Sequence, residues 1–234
     1  MGDASNRFHL ELVRPATETL LRVKSGERVL DIGCGNGRFS RRLCELGARV
    51  VAFDFSAQVI ERARARSQGL DIAYHVLDAT DARAMLGLGP GTFHAAVSNM
   101  ALMDMSQVNP LIRSVHQLLV PGGRFVLSLM HPCFQAPGLV KVVEEEDQGG
   151  RVVARSMIKL VRYKDPESFQ GLALSEQATP QLYFHRPLGL LMGALFEHGF
   201  VLNGLQEPVF AAGSPGRFEW TEIPPVMVLR FTRT

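Results

Sequence analysis

Cysteine is scarce in this 234-residue chain, which has only Cys34, Cys44 and Cys133. No two share a zinc-ligand spacing, and three make no even disulfide set. Metal ribbons and disulfide scaffolds are therefore excluded, and a reducing cytoplasm is the expected location. A surplus of one charge is also lacking: 25 Lys and Arg stand against 23 Asp and Glu, a net charge of +2. Such a balance gives no electrostatic footprint for nucleic acid. The local basic groups Arg38/Arg41/Arg42 and Arg62/Arg64/Arg66 fall on expected helices and read as solvated faces. Long apolar runs are missing too. None approaches the roughly 20 residues of a membrane helix, so no membrane partner is expected. The opening MGDASNRFHL has no apolar core behind a basic segment, so no secretory signal is expected. There is no internal repeat and no low-complexity segment. Oligomeric state is not legible.

What remains is an ordinary globular mixture, 46% apolar and 21% charged, in a length that suits one large domain. Residues 6–23 carry apolar positions largely on one helical face, with Pro15 expected to start or interrupt a helix. ERVLDIG reads as a buried strand entering a glycine turn, and RFSRRLCELG as a helix stopped by Gly47. ARVVAFD is a second strand, AQVIERARARS a helix capped by Ser56, and DIAYHVLD a third strand. FHAAVSN, the helix VNPLIRSVHQLL and the strand of PGGRFVLSLMH complete the series. Strands alternating with helices predict a parallel sheet covered on both faces.

The rhythm breaks after Pro137. Residues 139–163 read as two strands joined by a Gly-Gly turn, with the acidic run Glu144 to Asp147 at the tip. Residues 165–181 read as a polar connector, PLGLLMGALFEHG as a helix, and 200–207 and 225–232 as two last strands.

The stretch VLDIGCGNGRFS has three glycines at alternate positions, Gly33, Gly35 and Gly37, between a strand and a helix. Such a turn lets backbone approach a ligand and aims helix N–H groups at it. The dinucleotide pattern G-x-G-x-x-G fails here, because Arg38 occupies the third glycine's place. A tight structural turn is the bland alternative. The surroundings argue against it. Asp31, Asp54 and Asp78 all fall at carboxyl ends of expected strands, the edge where open parallel sheets bind ligands. Asp54 is placed to accept ribose hydroxyls, and Asp78 an adenine amino group.

With VVAFDFS, HVLDAT, FHAAVSNMALMDM and PGGRFVLSLMHP in that order, the chain resembles class I S-adenosylmethionine (SAM)-dependent methyltransferases, in their small-molecule, type 11/25-like branch. The resemblance is strong over 25–135 and returns in YFHRPLGLLMGALFEHGFVLNGLQEP. It implies an α/β, Rossmann-like seven-stranded sheet, mostly parallel with an antiparallel last strand. Within one domain, 1–234, it implies a cap helix (1–24), a SAM-binding core (25–135), a lid insertion with the hairpin (138–182) and completion of the sheet (183–234). The cofactor implied is SAM, leaving S-adenosylhomocysteine (SAH). Gly33, Cys34, Gly35 and Asn36 would border its methionine part, with Asp31 orienting that end. Asp54 would take the ribose and Phe55 the adenine face. Asp78 and Ala79 would meet the adenine edge, and Ser98 and Asn99 would flank the sulfonium.

The acceptor is less legible. A sulfonium is already activated, so alignment supplies most of the catalysis, and a base is needed only where the acceptor must lose a proton. Ser98-Asn99-Met100-Ala101 lacks the proline and aromatic of amino-directed nucleic-acid enzymes. Cys133 reads as an incidental thiol, and Asp104 has no acidic partner near 130 for a metal, so metal independence is expected. A small-molecule acceptor remains, methylated at O or N. The alternatives are an RNA or protein methyltransferase, a non-catalytic SAM-binding module, or a nicotinamide oxidoreductase on a similar sheet. Substrate-binding candidates are Phe8, Met100, Met103, His131, Phe134, Tyr183, His185 and Arg186. His131 and His185 are the catalytic candidates, since histidine titrates near neutrality. Arg186 is expected to pair with an acid, of the acceptor or of the protein.

Overall fold

The computed structural model describes residues 7–171, 179–212 and 218–234. Its centre is a seven-stranded sheet of order β10-β11-β5-β4-β1-β2-β3. The parallel part is built from β1 (Arg28–Ile32), β2 (Arg49–Asp54), β3 (Ile72–Val76), β4 (Phe93–Asn99) and β5 (Leu119–Met130). Between them run α2 (Arg38–Glu45), α3 (Ala57–Arg66), α4 (Ala82–Leu86) and α5 (Asn109–Leu118). β10 (Phe200–Gln206) follows α6 (Leu188–Glu197), and β11 (Val226–Arg233) lies between β10 and β5, antiparallel to both. The antiparallel last strand was expected from the sequence; its place inside the sheet gives the edge to β10.

Burial on both faces explains why the central strands are nearly continuous apolar runs. Leu30, Ile32 and Phe53 face one core with Leu111, Ile112 and Val115 of α5 and Leu191 and Leu195 of α6. Val29, Val50 and Ala52 face the other with Phe39 and Leu43 of α2 and Ile60 and Ala63 of α3. Ala16, Leu20 and Leu21 of α1 (Arg14–Leu21) pack on that second face.

Pro15 interrupts as expected: His9–Val13 form a π-helical turn, and α1 starts around the proline. Ser56 caps α3 by accepting from the Val59 N–H at 3.4 Å. The hairpin after Pro137 is β6 (Val140–Asp147) with β7 (Val152–Lys159), paired from Asp147 opposite Val152 outward. The connector is corrected in part. Glu167–Gly171 form a strand, β8, that pairs antiparallel with β9 (Gln181–His185). The reason is pairing with Phe169 packed on Tyr183, ring centroids 5.6 Å apart, which outweighs the strand's polar composition. Residues 172–178 of that expected connector lie outside the described ones. Among the described residues no helix is long and apolar enough to cross a membrane.

Candidate functional site

The carboxyl ends of β1, β2 and β4 converge on the glycine turn. Gly33, Gly35 and Gly37 all take positive φ, at 64°, 54° and 73°. Two of them are fixed by close approach. A Cβ on Gly33 would lie 2.7 Å from the Ala101 Cβ, and one on Gly37 would lie 2.3 Å from the Tyr74 hydroxyl. Gly35 differs: a Cβ there would meet nothing within 4 Å. Its backbone borders open space, the cradle a ligand needs.

Asp54 locks this cradle to β2. Its Oδ2 accepts from the Gly35 N–H and its Oδ1 from the Ser56 N–H, both at 3.1 Å. Beside it Phe55 is 80% exposed, a bare apolar ring. Asp78 lies just beyond β3, exposed, and its Oδ1 accepts from the Thr80 N–H and hydroxyl, both at 2.8 Å. Its other oxygen has no such turn partner. Ala79 is buried in the core below. Asn36 sits in the loop with its carbonyl bound by Arg41 at 3.1 Å.

Asp31 is buried, at 1% exposure, and accepts from the Ser40 hydroxyl at 2.5 Å. Burial, reinforced by the charge of Asp54, raises its carboxyl to about 7 against the pull of that hydrogen bond. The Tyr74 and Ser67 hydroxyls, 2.9 Å apart, extend this polar seam under the turn. Cys34 is buried beside it, and burial pushes its thiol well up, so it stays protonated.

Asn99 ends β4 and is held from two sides. Its Oδ1 accepts from Thr17 Oγ1 at 2.9 Å and from Ser128 Oγ at 3.1 Å. Its Nδ2 is buried with no partner among the described residues, as is the Ser98 hydroxyl. An orphaned amide donor is costly unless a ligand accepts from it. Met100 follows with φ 53°, unusual for a residue with a side chain, and its N–H is fixed by the Ser128 carbonyl at 3.0 Å.

A second, apolar cleft opens beside the ends of β4 and β5. Leu102, Met103, Leu129, Met130, Phe169, Tyr183, His185 and Arg186 line it. The eight expected substrate residues thus separate. Met103, Tyr183, His185 and Arg186 meet in this cleft. Phe8 and Met100 instead pack in a cluster with Leu12, Val13, Val226 and Phe210. Phe134 lies against the His131 ring, centroids 4.4 Å apart.

The two histidines are held differently. His131 Nδ1 accepts from the Cys133 N–H at 3.2 Å, so Nε2 carries the proton and donates to Glu207 at 2.8 Å. Both ring nitrogens serve the protein. His185 Nε2 donates to the Tyr163 carbonyl at 2.7 Å, which leaves Nδ1 as an acceptor on a residue lining the cleft. The Tyr163 hydroxyl in turn accepts from the Leu188 N–H at 2.8 Å at the start of α6. Among the described residues Arg186 pairs with no acid of the protein. Its guanidinium donates to the carbonyls of Leu102 at 3.2 Å, Phe184 at 3.4 Å and Met105. Three carbonyl dipoles in a partly buried pocket suffice to hold it, and burial lowers its pKa.

Thr17, Ser40, Tyr74, Ser128, Gln181 and Glu207 were not foreseen. Only the tertiary fold brings each of them to the site. Among the described residues no three His, Cys, Asp or Glu side chains gather as a metal cage.

A parallel sheet with a glycine turn after β1 and acids at the next strand ends defines a nucleoside-cofactor-binding α/β protein. Residues 29–123 match the family model described as methyltransferase domain. Over 165 residues the chain is 32% identical to a ubiquinone biosynthesis O-methyltransferase of Xanthomonas euvesicatoria, covering 69% of this chain and 63% of that protein. It is also 32% identical to a demethylmenaquinone methyltransferase of Clavibacter sepedonicus, over 73% of this chain and 66% of that one. The chain thus spans under two thirds of the length of these relatives. A solved S-adenosylmethionine-dependent methyltransferase from Mesorhizobium loti superposes with a TM-score of 0.77 at 29% identity, covering 94% of this chain and 96% of that one. The matched domain and the shared fold support the class I S-adenosylmethionine-dependent methyltransferase superfamily.

Proposed function

We propose that the protein transfers a methyl group from SAM to O or N of a small-molecule acceptor. The observation that carries this is a shared wall. The segment from Ala101 to Met105 packs against Gly33 of the cofactor turn on one side. Its Leu102 and Met103 line the apolar cleft on the other. A cofactor on the turn and an acceptor in the cleft are then neighbours, the arrangement a direct transfer requires.

The residues present fit the cofactor: Gly35 opens the cradle, Phe55 offers an apolar face, Asp54 an acceptor and Asn99 Nδ2 an unused donor. SAM supplies the activated methyl group when bound. The chain's own part is to bind, align and exclude water. Met103, Tyr183 and Leu129 give the cleft an apolar and aromatic lining suited to a flat acceptor. His185 Nδ1 is the proton acceptor for a hydroxyl or amine held there, while His131 braces the sheet edge. The names of the two curated relatives make quinol-like phenols the first acceptors to try.

The test is calorimetric titration with SAM, SAH and NAD, followed by a methyl-transfer screen over phenols, amines and carboxylates. Binding of SAM and SAH but not NAD, with turnover on one acceptor class, is the expected outcome. Binding of NAD alone would replace the reading with an oxidoreductase.

A further inference from the structure

Asp104 is the acid of the shared wall that the assignments above leave without a task. It closes the 3-10 turn Leu102–Asp104, five residues after Asn99. The turn is pressed onto the cofactor loop, with Ala101 Cβ 2.7 Å and Met105 Cε 4.0 Å from where a Gly33 Cβ would stand. Gln181 of β9 donates to Asp104 Oδ1 at 3.2 Å and fixes its direction. The charged and titratable groups around it come from every neighbouring element. Asp54 acts on it from the end of β2, and Asp104 in turn acts on the Tyr183 hydroxyl of β9. Arg186 grips the same turn through the Leu102 and Met105 carbonyls without pairing with the carboxylate. His185 has its Nε2 turned to the Tyr163 carbonyl. His131, at the end of β5, is committed to Glu207. The Asp104 carboxylate thus stands within reach of the Asp54 charge, with no protein cation bridging the two among the described residues.

We propose that Asp104 makes the site prefer the sulfonium of SAM over the neutral thioether of SAH. The inference rests on the methyltransferase reading and adds a discriminating residue to it. SAM and SAH share their adenine, ribose and amino-acid parts, so Asp54 and Asp78 serve both alike. They differ by a methyl group and one positive charge. An acid at the wall that touches Gly33 acts on that charge. Product is then held less firmly than the incoming cofactor, which limits inhibition by SAH.

The preference titrates. Enclosure in the cleft and the repulsion of Asp54 raise the free Asp104 carboxyl to about 6. A cation bound beside it favours the ionised form and draws the value back down. The ratio of SAM to SAH affinity is therefore highest above pH 7 and falls as pH drops through the value of the free site. Taking the ratio cancels every group that sees only the shared parts.

The experiment is calorimetric titration of the full chain with SAM and with SAH from pH 7.5 to 5.0, repeated on Asp104→Asn and Asp104→Glu. For the wild type the ratio should fall by roughly fivefold over this range, as follows if the sulfonium lowers the carboxyl by about one unit. Near pH 6 SAM binding, but not SAH binding, should release protons, read as a dependence of the heat on the buffer's ionisation enthalpy. Asp104→Asn should keep its SAH affinity and lose the slope of the ratio, and Asp104→Glu should restore it. A pH-independent wild-type ratio, or a slope that survives in Asp104→Asn, overturns the proposal while leaving the methyltransferase reading intact. Binding of neither ligand overturns both.

Discussion

At the scale of single residues, Asp54 has two tasks in one carboxyl. It fixes the Gly35 and Ser56 amides and presents the remaining lone pairs to the cleft. Asp54→Ala should weaken SAM binding by roughly tenfold or more, since hydrogen bonds to a charged group are worth about 1.5–3 kcal/mol. Calorimetry checks this, with circular dichroism confirming that the variant is folded. The histidines should separate cleanly. His185→Gln removes a candidate base and should cut turnover by about 10²-fold or more with SAM affinity unchanged. His131→Gln loses its bond to Glu207 and should lower the melting temperature more than it lowers turnover. Such a difference was not legible in the sequence, where both histidines read as catalytic candidates. Both give Nε2 to the protein, to Glu207 and Tyr163, far away along the chain; what separates them is Nδ1, which in His131 is also taken, by the Cys133 N–H. The place of the acids at the strand ends was legible, because a strand end followed by Asp is a local pattern. Thr17 and Ser128, which aim Asn99, were not, because a lone hydroxyl on a helix or inside an apolar strand carries no local signal.

At the scale of elements, the alternation of apolar strands and amphipathic helices made the sheet readable, along with the hairpin and its turn. The short helix α4 and the β8–β9 pair escaped. α4 is only five residues long and rests on its Asp81 cap, whose carboxyl accepts from the Ala84 N–H at 3.0 Å. β8 is a strand because β9 lies beside it, and its own residues do not announce it. The turn into α2 is the most constrained connection. Gly37 has φ 73° and stands under the Tyr74 hydroxyl. Gly37→Ala should destabilise the protein by about 1–2 kcal/mol from the left-handed backbone alone. Displacement of Tyr74 from its bond to Ser67 adds to this. Gly35→Ala, with open space above it, should show only the backbone part in a denaturant melt and a larger loss in SAM affinity. The contrast between the two variants separates the turn's structural glycine from its ligand-facing one.

At the scale of the whole molecule, Asp31 couples the core to pH. Its carboxyl, raised from 3.8 to about 7, holds a proton in the folded chain that the unfolded chain has released between those values. Folding stability therefore falls as pH rises through that window and levels off above it. Asp104, also raised, acts in the same direction; Glu27, lowered by its pairing with Arg124, acts in the opposite one at more acid pH. Asp31→Asn isolates the contribution. The loss of unfolding free energy from pH 4.5 to 7.5 should be smaller in the variant than in the wild type, measured by urea titration at each pH. Equal losses would show that the buried carboxyl ionises no differently in the folded and unfolded chains.

The place of β11 has a consequence for how the chain is made. This strand follows in sequence both of the strands it separates, and it pairs along Val226 to Thr232 with β5 and along Val228 to Arg233 with β10. During synthesis the parallel half of the sheet emerges first with β5 as an open edge, and β10 emerges with no neighbour to bind. Only when Val226–Arg233 has left the ribosome does the sheet become continuous. Until then the nascent chain carries two unsatisfied strand edges, the kind of surface that chaperones shield and that other unfinished chains pair with.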